Sequence, residues 1–459
     1  MKIRFLGGAR TVTGSCFYLS REKNKILVDC GMYQGPGADE INRRKFEFEP
    51  SDIDCLFLTH SHLDHVGLVP RLVKEGFKGK IITTSAAADI VELILYDSAH
   101  IQESDTEWYN RKALRAGLEL KKPIYIRRDV DMVLPLFNRK HYGKIETLCK
   151  GLRYRFVDAG HILGSSTLEI WYKDGPGEKK MVFSGDIGKK DNPIVNDPVF
   201  VEETDYLTIE STYGNRNHKS RKDSIDELVD VIKETFKKGG NVIIPSFALG
   251  RTQDLLFILN KLVKEDRLFR INVYIDSPLA EGITRVYNAH QEYFDEEAKE
   301  LFNIESRDAL RIHFTRRMED SIALNRIKRE AIIIASSGMC EGGRVQHHLK
   351  HNLWRKESSI IFVGFQARGT LGRQVVDGAK IVEVLGEKIV VRAGIHTLGG
   401  FSAHADQEEL LNWISKFRNS PEIFIVHGEE KVSLEFQSLI DERFKYKTHV
   451  PSRGEEFEI

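Results

Sequence analysis

Thr59-His60-Ser61-His62-Leu63-Asp64-His65 is the stretch on which the fold turns. Three imidazoles and a carboxylate stand within a few residues of one another. They follow residues 55–59, a continuous apolar run that reads as a buried strand. Such a cluster is costly inside a core without a partner. In a loop at a strand end it can converge on cations, and His nitrogen with Asp oxygen suits zinc. The alternation puts His60 and His62 on one side of an extended loop. Asp64 and His65, one step on, can turn toward a second ion. The plainer alternative is a solvated, histidine-rich loop.

Outward from this loop, residues 2–6, 16–19 and 25–29 are short β-favouring runs broken by glycine-containing stretches. Residues 66–74 and 86–100 have helical spacing. Two further helical stretches are expected, around Trp108 and over 131–139, and then strands over 153–158, 167–171 and 180–184. After Leu207 the rhythm changes. Helices over 223–238, from about Gln253 and over 280–303 alternate with strands over 241–244, 271–275, 331–335 and 360–363. That alternation predicts a largely parallel sheet with helices on both faces. The last segment returns to the earlier style, with strands over 387–392 and 422–426 and helices over 406–417 and 431–444. The expected divisions are 1–208, 209–388 and 389–459, the middle one inserted into a domain made by the outer two.

Composition narrows the class. The 459 residues exceed what one hydrophobic core ordinarily serves. The 68 Lys+Arg cancel the 68 Asp+Glu, so a nucleic-acid partner must act through local patches. Cys16, Cys30, Cys55, Cys149 and Cys340 stand far apart with no C-x-x-C, which argues against a disulfide framework or a thiolate zinc site. No stretch approaches the roughly 20 apolar residues of a membrane span. The first residues read as a strand rather than a signal peptide, so a cytoplasmic location is expected.

The order His60-x-His62-x-Asp64-His65 resembles the metal loop of metallo-β-lactamase-fold hydrolases. The resemblance implies an α/β fold, an αββα sandwich with two zinc ions per chain. On the same resemblance Asp29, in Leu27-Val28-Asp29-Cys30-Gly31, matches a buried aspartate behind the ligands. His161, in Asp158-Ala159-Gly160-His161, matches the third histidine, and Asp186, in Phe183-Ser184-Gly185-Asp186, a metal-bridging aspartate. Three further stretches resemble the motifs of the β-CASP nucleases: Ile209-Glu210-Ser211-Thr212-Tyr213-Gly214, Gly400-Phe401-Ser402-Ala403-His404-Ala405-Asp406 and Val426-His427-Gly428-Glu429. That group includes the endonuclease subunit of the eukaryotic cleavage and polyadenylation machinery and prokaryotic RNA-processing enzymes. The middle segment would then be an inserted α/β β-CASP domain.

The resemblance implies that His60, His62 and His161 hold one zinc, Asp64, His65 and His427 the other, and Asp186 both. It makes His404 a general acid held by Glu210, with Asp64 and Asp186 completing the catalytic set. The implied activity is a zinc-dependent ribonuclease, mainly an endonuclease, leaving 5′-phosphate and 3′-hydroxyl ends in RNA processing or decay. Single-stranded RNA is the implied substrate, and a homodimer is compatible with it. In this family a histidine at position 427 goes with RNA, and an apolar residue there with the DNA-repair branch. The alternatives are a DNA nuclease or a small-molecule thioesterase of the same fold, or a scaffold protein, which would typically have lost metal ligands.

Three turns rich in small residues follow strands in the middle segment, at 246–252, 335–344 and 364–373. Small residues let backbone N–H groups approach phosphate, and arginines can pair with it. The expected substrate-binding residues are Arg251, Ser337, Gly338, Arg368, Gly369, Thr370 and Arg373; ordinary strand–helix turns with solvated arginines are the alternative. Surface or packing roles are expected for His347, His348 and His351, and a core position for Trp108-Tyr109.

Overall fold

The runs expected as strands pair into three large sheets in a computed structural model, which describes residues 1–35, 37–269, 271–301, 310–367 and 369–459. Arg368 lies outside the described residues. By packing the chain forms two units. The first comprises Met1–Asn192, Asn196–Asn217 and His404–Ile459, and the second Pro193–Val195 and His218–Ala403.

The early strands are β1 (Lys2–Gly7), β2 (Cys16–Arg21), β3 (Asn24–Val28), β4 (Cys55–Phe57), β5 (Lys80–Thr84) and β6 (Phe137–Lys140). Next come β7 (Glu146–Cys149), β8 (Leu152–Asp158), β9 (Ser166–Asp174), β10 (Gly177–Phe183) and β11 (Tyr206–Glu210). The second unit contributes β12 (Val242–Pro245), β13 (Asn272–Asp276), β14 (Arg311–Phe314), β15 (Ala331–Ala335), β16 (Ser359–Phe362), β17 (Ile381–Val384), β18 (Glu387–Val390) and β19 (Gly394–Thr397). The chain ends with β20 (Glu422–Val426), β21 (Thr448–His449) and β22 (Glu456–Glu458).

In the first unit one sheet runs β22-β1-β2-β3-β4-β5-β6 and the other β21-β20-β11-β10-β9-β8-β7. Their inner faces meet in one core. Strand alternation supplies it: Leu152, Tyr154 and Phe156 of β8 point inward with Phe5, Phe17, Phe57, Phe183 and Phe424, while Arg153 and Arg155 point away. Helices Val69–Lys74, Ser85–Ala116 and Arg127–Asp131 share the core on the outer side of the first sheet. Gln407–Ile414 and Glu430–Phe444 do the same for the second sheet. The layers are therefore helix, sheet, sheet, helix, the expected sandwich.

Two local expectations fail here. The helix expected around Trp108 is present as the continuation of one 32-residue helix, Ser85–Ala116, but the core position expected for Trp108 fails: it is 55% exposed with Lys112 over its ring. The stretch over 131–139 is mostly not helical, because β6 pairs in parallel with β5.

The second unit carries an all-parallel sheet, β14-β13-β15-β12-β16-β19, and a β17-β18 hairpin. Because β18 and β19 pair there, packing draws the later boundary after Ala403 rather than at 388. His348, expected near the surface or in packing, is fully buried. It lies 2.6 Å from Asp276 Oδ2, and the same carboxylate accepts from Ser321 Oγ (2.6 Å) and Arg344 (2.8 Å). Burial alone would raise the Asp276 carboxyl, but these bonds outweigh it and hold it below the usual range. Asp276→Ala would leave buried donors and a cation unpaired. It should cost about 3–5 kcal/mol in urea unfolding; a loss under about 1 kcal/mol would refute the network's importance.

Candidate metal centre

Asp29 sets the scaffold. β3 ends at Val28, and Asp29 takes φ 58°, a left-handed conformation uncommon for a residue with a Cβ. The turn buries its carboxylate. Oδ1 accepts from Thr59 N (2.8 Å), and Oδ2 accepts from Thr59 Oγ1 (2.9 Å) and lies 2.8 Å from His65 Nδ1. This leaves His65 Nε2 facing 3.0 Å to His427 Nε2 and 3.4 Å to Asp186 Oδ1. β4 stops at Phe57, short of the expected 59, as Asp29 claims the Thr59 amide.

Thr59 Oγ1 also lies 3.1 Å from His60 Nδ1, so His60 Nε2 points inward, 3.1 Å from His62 Nδ1 and 3.2 Å from Asp186 Oδ2. His62 then precedes the short helix Leu63–Val66, which turns Asp64 and His65 toward His427. Gly31 backs the loop: a Cβ there would stand 1.7 Å from the Asp64 carbonyl oxygen, so only glycine fits.

The remaining members arrive from other strand ends. His161 follows β8; its Nε2 lies 3.3 Å from His62 Nδ1 and 3.5 Å from Asp186 Oδ2. Asp186 follows β10. Its Oδ2 faces His60, His62 and His161, and its Oδ1 faces His65 and His427 (3.7 Å). His427 follows β20 at φ 51°, with Nε2 3.3 Å from Asp64 Oδ2 and Nδ1 3.1 Å from Thr212 Oγ1. The seven residues expected as ligands come together in two sets with Asp186 between them, and Asp29 stands behind His65.

Whether a cation suits these donors can be tested on the geometry. Nitrogens on one tetrahedral zinc, each about 2.1 Å away, stand about 3.4 Å apart. His62 Nδ1 stands 3.1 Å from His60 Nε2 and 3.3 Å from His161 Nε2, two of the three pairs in this set. Asp186 Oδ1 is buried and accepts no hydrogen bond, a costly state for a carboxylate unless a cation faces it. Burial would raise Asp186, but His427, His60 and His65 hold it well below the carboxylate range. Burial and the neighbouring His65 push His60 down to about 3, against the pull of Asp186. Neutral imidazole and ionised carboxylate are the forms that bind a metal, so His65 and His427, where burial would lower the imidazole but Asp186 overrides it, would give up protons on binding.

Beside this cluster Glu210, at the end of β11, is fully engaged. Oε1 accepts from Ile187 N (2.6 Å), Oε2 accepts from Thr212 Oγ1 (2.6 Å), and Oε2 lies 3.2 Å from His404 Nδ1. His404 is fixed by a bridge to Gly188 and by Ala405 N donating to Ile187 O (2.8 Å). Burial would lower His404; the Glu210 carboxylate, helped by Asp186 and Asp64, overrides this and raises it to about 9. The arrangement can hold a proton on an imidazole next to the donor cluster. Thr212, which joins Glu210 to His427, escaped the sequence reading although it lies inside the Glu210-Ser211-Thr212 motif.

The expected phosphate-holding residues lie in the second unit. Arg251 opens helix Arg251–Lys264, and Ser337 Oγ donates to Gly342 O (3.3 Å). Gly338 lies against the Phe247 ring. Gly369 takes φ 88°, and Thr370 caps helix Leu371–Val376 by accepting from Arg373 N. The Arg373 Nε donates to Asp377 (2.8 Å), an exposed i,i+4 pair rather than an open guanidinium.

Three family descriptions match the chain: Metallo-beta-lactamase superfamily over residues 9–235, Beta-Casp domain over 252–375, and Zn-dependent metallo-hydrolase RNA specificity domain over 388–451. Ribonuclease TTHA0252 of Thermus thermophilus is 34% identical over 443 residues, 96% of each chain. An RNase J-like protein of Methanocaldococcus jannaschii is 30% identical over 98% of each chain. Transcription termination factor FttA of the same organism is 30% identical over 98% of this chain and 70% of its own length. A crystal structure of an Enterococcus faecalis protein of unknown function shares the fold, with TM-score 0.59 and 14% identity over 99% of both chains. Among the described residues no helix is long and apolar enough to cross a membrane.

Proposed function

We infer the function from one premise: this chain belongs to the β-CASP family of metallo-β-lactamase-fold ribonucleases. It is a metal-dependent hydrolase of RNA. In our reading it is mainly an endonuclease of single-stranded RNA in the cytoplasm. Asp186 carries the reading, because its two carboxylate oxygens face two separate donor sets. Two zinc ions would bind, one to His60, His62 and His161 and one to Asp64, His65 and His427, with Asp186 shared. When bound, the pair supplies Lewis acidity that acidifies water and offsets phosphate charge.

The chain's own residues do the rest. Asp29 holds His65 by Nδ1, and Thr59 holds His60 by Nδ1, so both present Nε2. Glu210 keeps a proton on His404 Nδ1, which leaves Nε2–H to protonate the departing 3′-oxygen. Protonation there gives a 3′-hydroxyl and leaves the phosphate on the 5′ side of the next nucleotide. His427 favours RNA over DNA by the family pattern.

The test is a 5′-labelled, internally structured RNA incubated with zinc-loaded protein, with product ends mapped. Internal cuts in unpaired segments bearing 5′-phosphate and 3′-hydroxyl are expected. Cyclic-phosphate ends, or faster turnover of a small thioester, would sink the reading. A second expectation concerns Asp29. Asp29→Ala frees His65 to rotate and should weaken zinc binding about 10–100-fold in chelator competition. Unchanged affinity would show that Asp29 does not orient the ligand.

A further inference from the structure

The helix Ser85–Ala116 is buried mainly along its first half. Its buried positions end at Ala99, apart from Ala113. The return segment covers one face of the outer half. Tyr125 Oη donates to Ser98 Oγ (2.7 Å), Ile124 N to Gln102 Oε1 (3.2 Å), and Lys121 N to Asn110 Oδ1 (2.8 Å). The other face carries a stripe of Ile101, Ser104, Asp105, Trp108, Arg111 and Arg115, at the three- and four-residue spacing that lines up side chains on a helix. Every member of the stripe is exposed.

Trp108 stands in the middle of this stripe, and Ile101, 50% exposed, lies two turns before it. Among the described residues Asp105, Arg111 and Arg115 form no ion pair. The charges run in order along the helix: Glu103, Asp105 and Glu107 come before Trp108, and Arg111, Lys112 and Arg115 after it. A second copy of the helix laid antiparallel, with the two Trp108 rings at the crossing, sets Asp105 of each copy against Arg111 of the other. It also lays the aliphatic stem of Arg115 on Ile101. The two Arg115 side chains then stand about 21 Å apart along the axis, well past a Debye length of about 8 Å. A parallel pair would instead set Asp105 on Asp105 and Arg111 on Arg111. RNA is a poorer occupant, because the three acids repel its phosphates. Leu114, Leu118 and Leu120, each more than half exposed at the helix end, offer it neither charge nor ring.

We propose that the outer half of helix Ser85–Ala116 is a homodimer interface, in which two copies cross antiparallel at Trp108 about a two-fold axis. A tryptophan at the centre of a patch is a common energetic anchor of such contacts. One helix pair is a small contact among specific interfaces, so association at about 1–100 µM is expected.

The test is sedimentation equilibrium of the full chain across that concentration range. Trp108→Ala and Asp105→Arg should each weaken self-association about tenfold or more. Asp105→Arg combined with Arg111→Asp, which exchanges the two charges, should restore it. Each substituted side chain is exposed, so the circular dichroism of every variant should match the parent. A parent chain that stays monomeric, a dimer that neither single variant weakens, or a double variant no better than Asp105→Arg alone would overturn the interface. So would tighter binding of a fluorescent single-stranded RNA by Asp105→Arg with self-association unchanged, which would make the stripe an RNA surface.

Discussion

His404→Ala should keep its zinc and lose about 10²–10⁴-fold of RNA cleavage. The imidazole groups with Glu210 and Asp186 rather than with either expected zinc set, so its removal leaves every expected ligand in place. What it removes is the proton donor. A ribose oxygen leaves poorly as an anion, and Glu210, 3.2 Å from His404 Nδ1, holds that imidazole protonated near neutral pH. The loss should be in kcat rather than KM, since the proton moves only as the bond breaks. It should shrink on a substrate whose 3′-bridging atom is sulfur, a leaving group that needs no proton. Full activity on ordinary RNA, or an equal loss on the sulfur-bridged substrate, would rule out the general-acid role.

Asp186→Ala should be more severe, because one carboxylate serves both donor sets. Oδ2 lies 3.2 Å from His60 Nε2 and Oδ1 lies 3.4 Å from His65 Nε2, so the substitution strips an anionic ligand from each. Each metal stabilises the reacting charge by several kcal/mol, so cleavage should fall by about 10⁴-fold or more. Zinc content should fall together with it, unlike the His404 variant. Asp64→Ala, which alters one set, should lose less metal than Asp186→Ala. A variant at position 186 that retained full zinc and activity would show that the carboxylate is not shared.

Much of this centre was legible because its residues are out of place as ordinary structure. Imidazoles and a carboxylate crowded after an apolar strand announce themselves, and His60 through His65 do converge as their order suggested. His161, Asp186 and His427 were different. Taken singly, each is an ordinary polar residue after a strand, and only the resemblance joined positions so far apart in the chain. The hydrogen bonds that orient them were not legible. Thr59 reaches forward to His60 and back to Asp29, and Thr212 ties Glu210 to His427, by contacts that depend on turn geometry.

Elsewhere the failures share a cause. The helix expected around Trp108 reads as separate from the one over 86–100 because the exposed stretch between them carries no apolar period to join the two. The 131–139 stretch has helical spacing, but parallel pairing with β5 makes its end a strand. His348 reads as one of three surface-type histidines until Asp276, far away in sequence, is found beside it. Partners supplied by tertiary structure leave little trace in local pattern.

The most direct measurement is anomalous diffraction above the zinc edge from crystals of the full chain grown with zinc. The account predicts two peaks flanking Asp186, one among His60, His62 and His161 and one among Asp64, His65 and His427. A map with no peak beside Asp186, or with zinc bound only elsewhere on the chain, would contradict it.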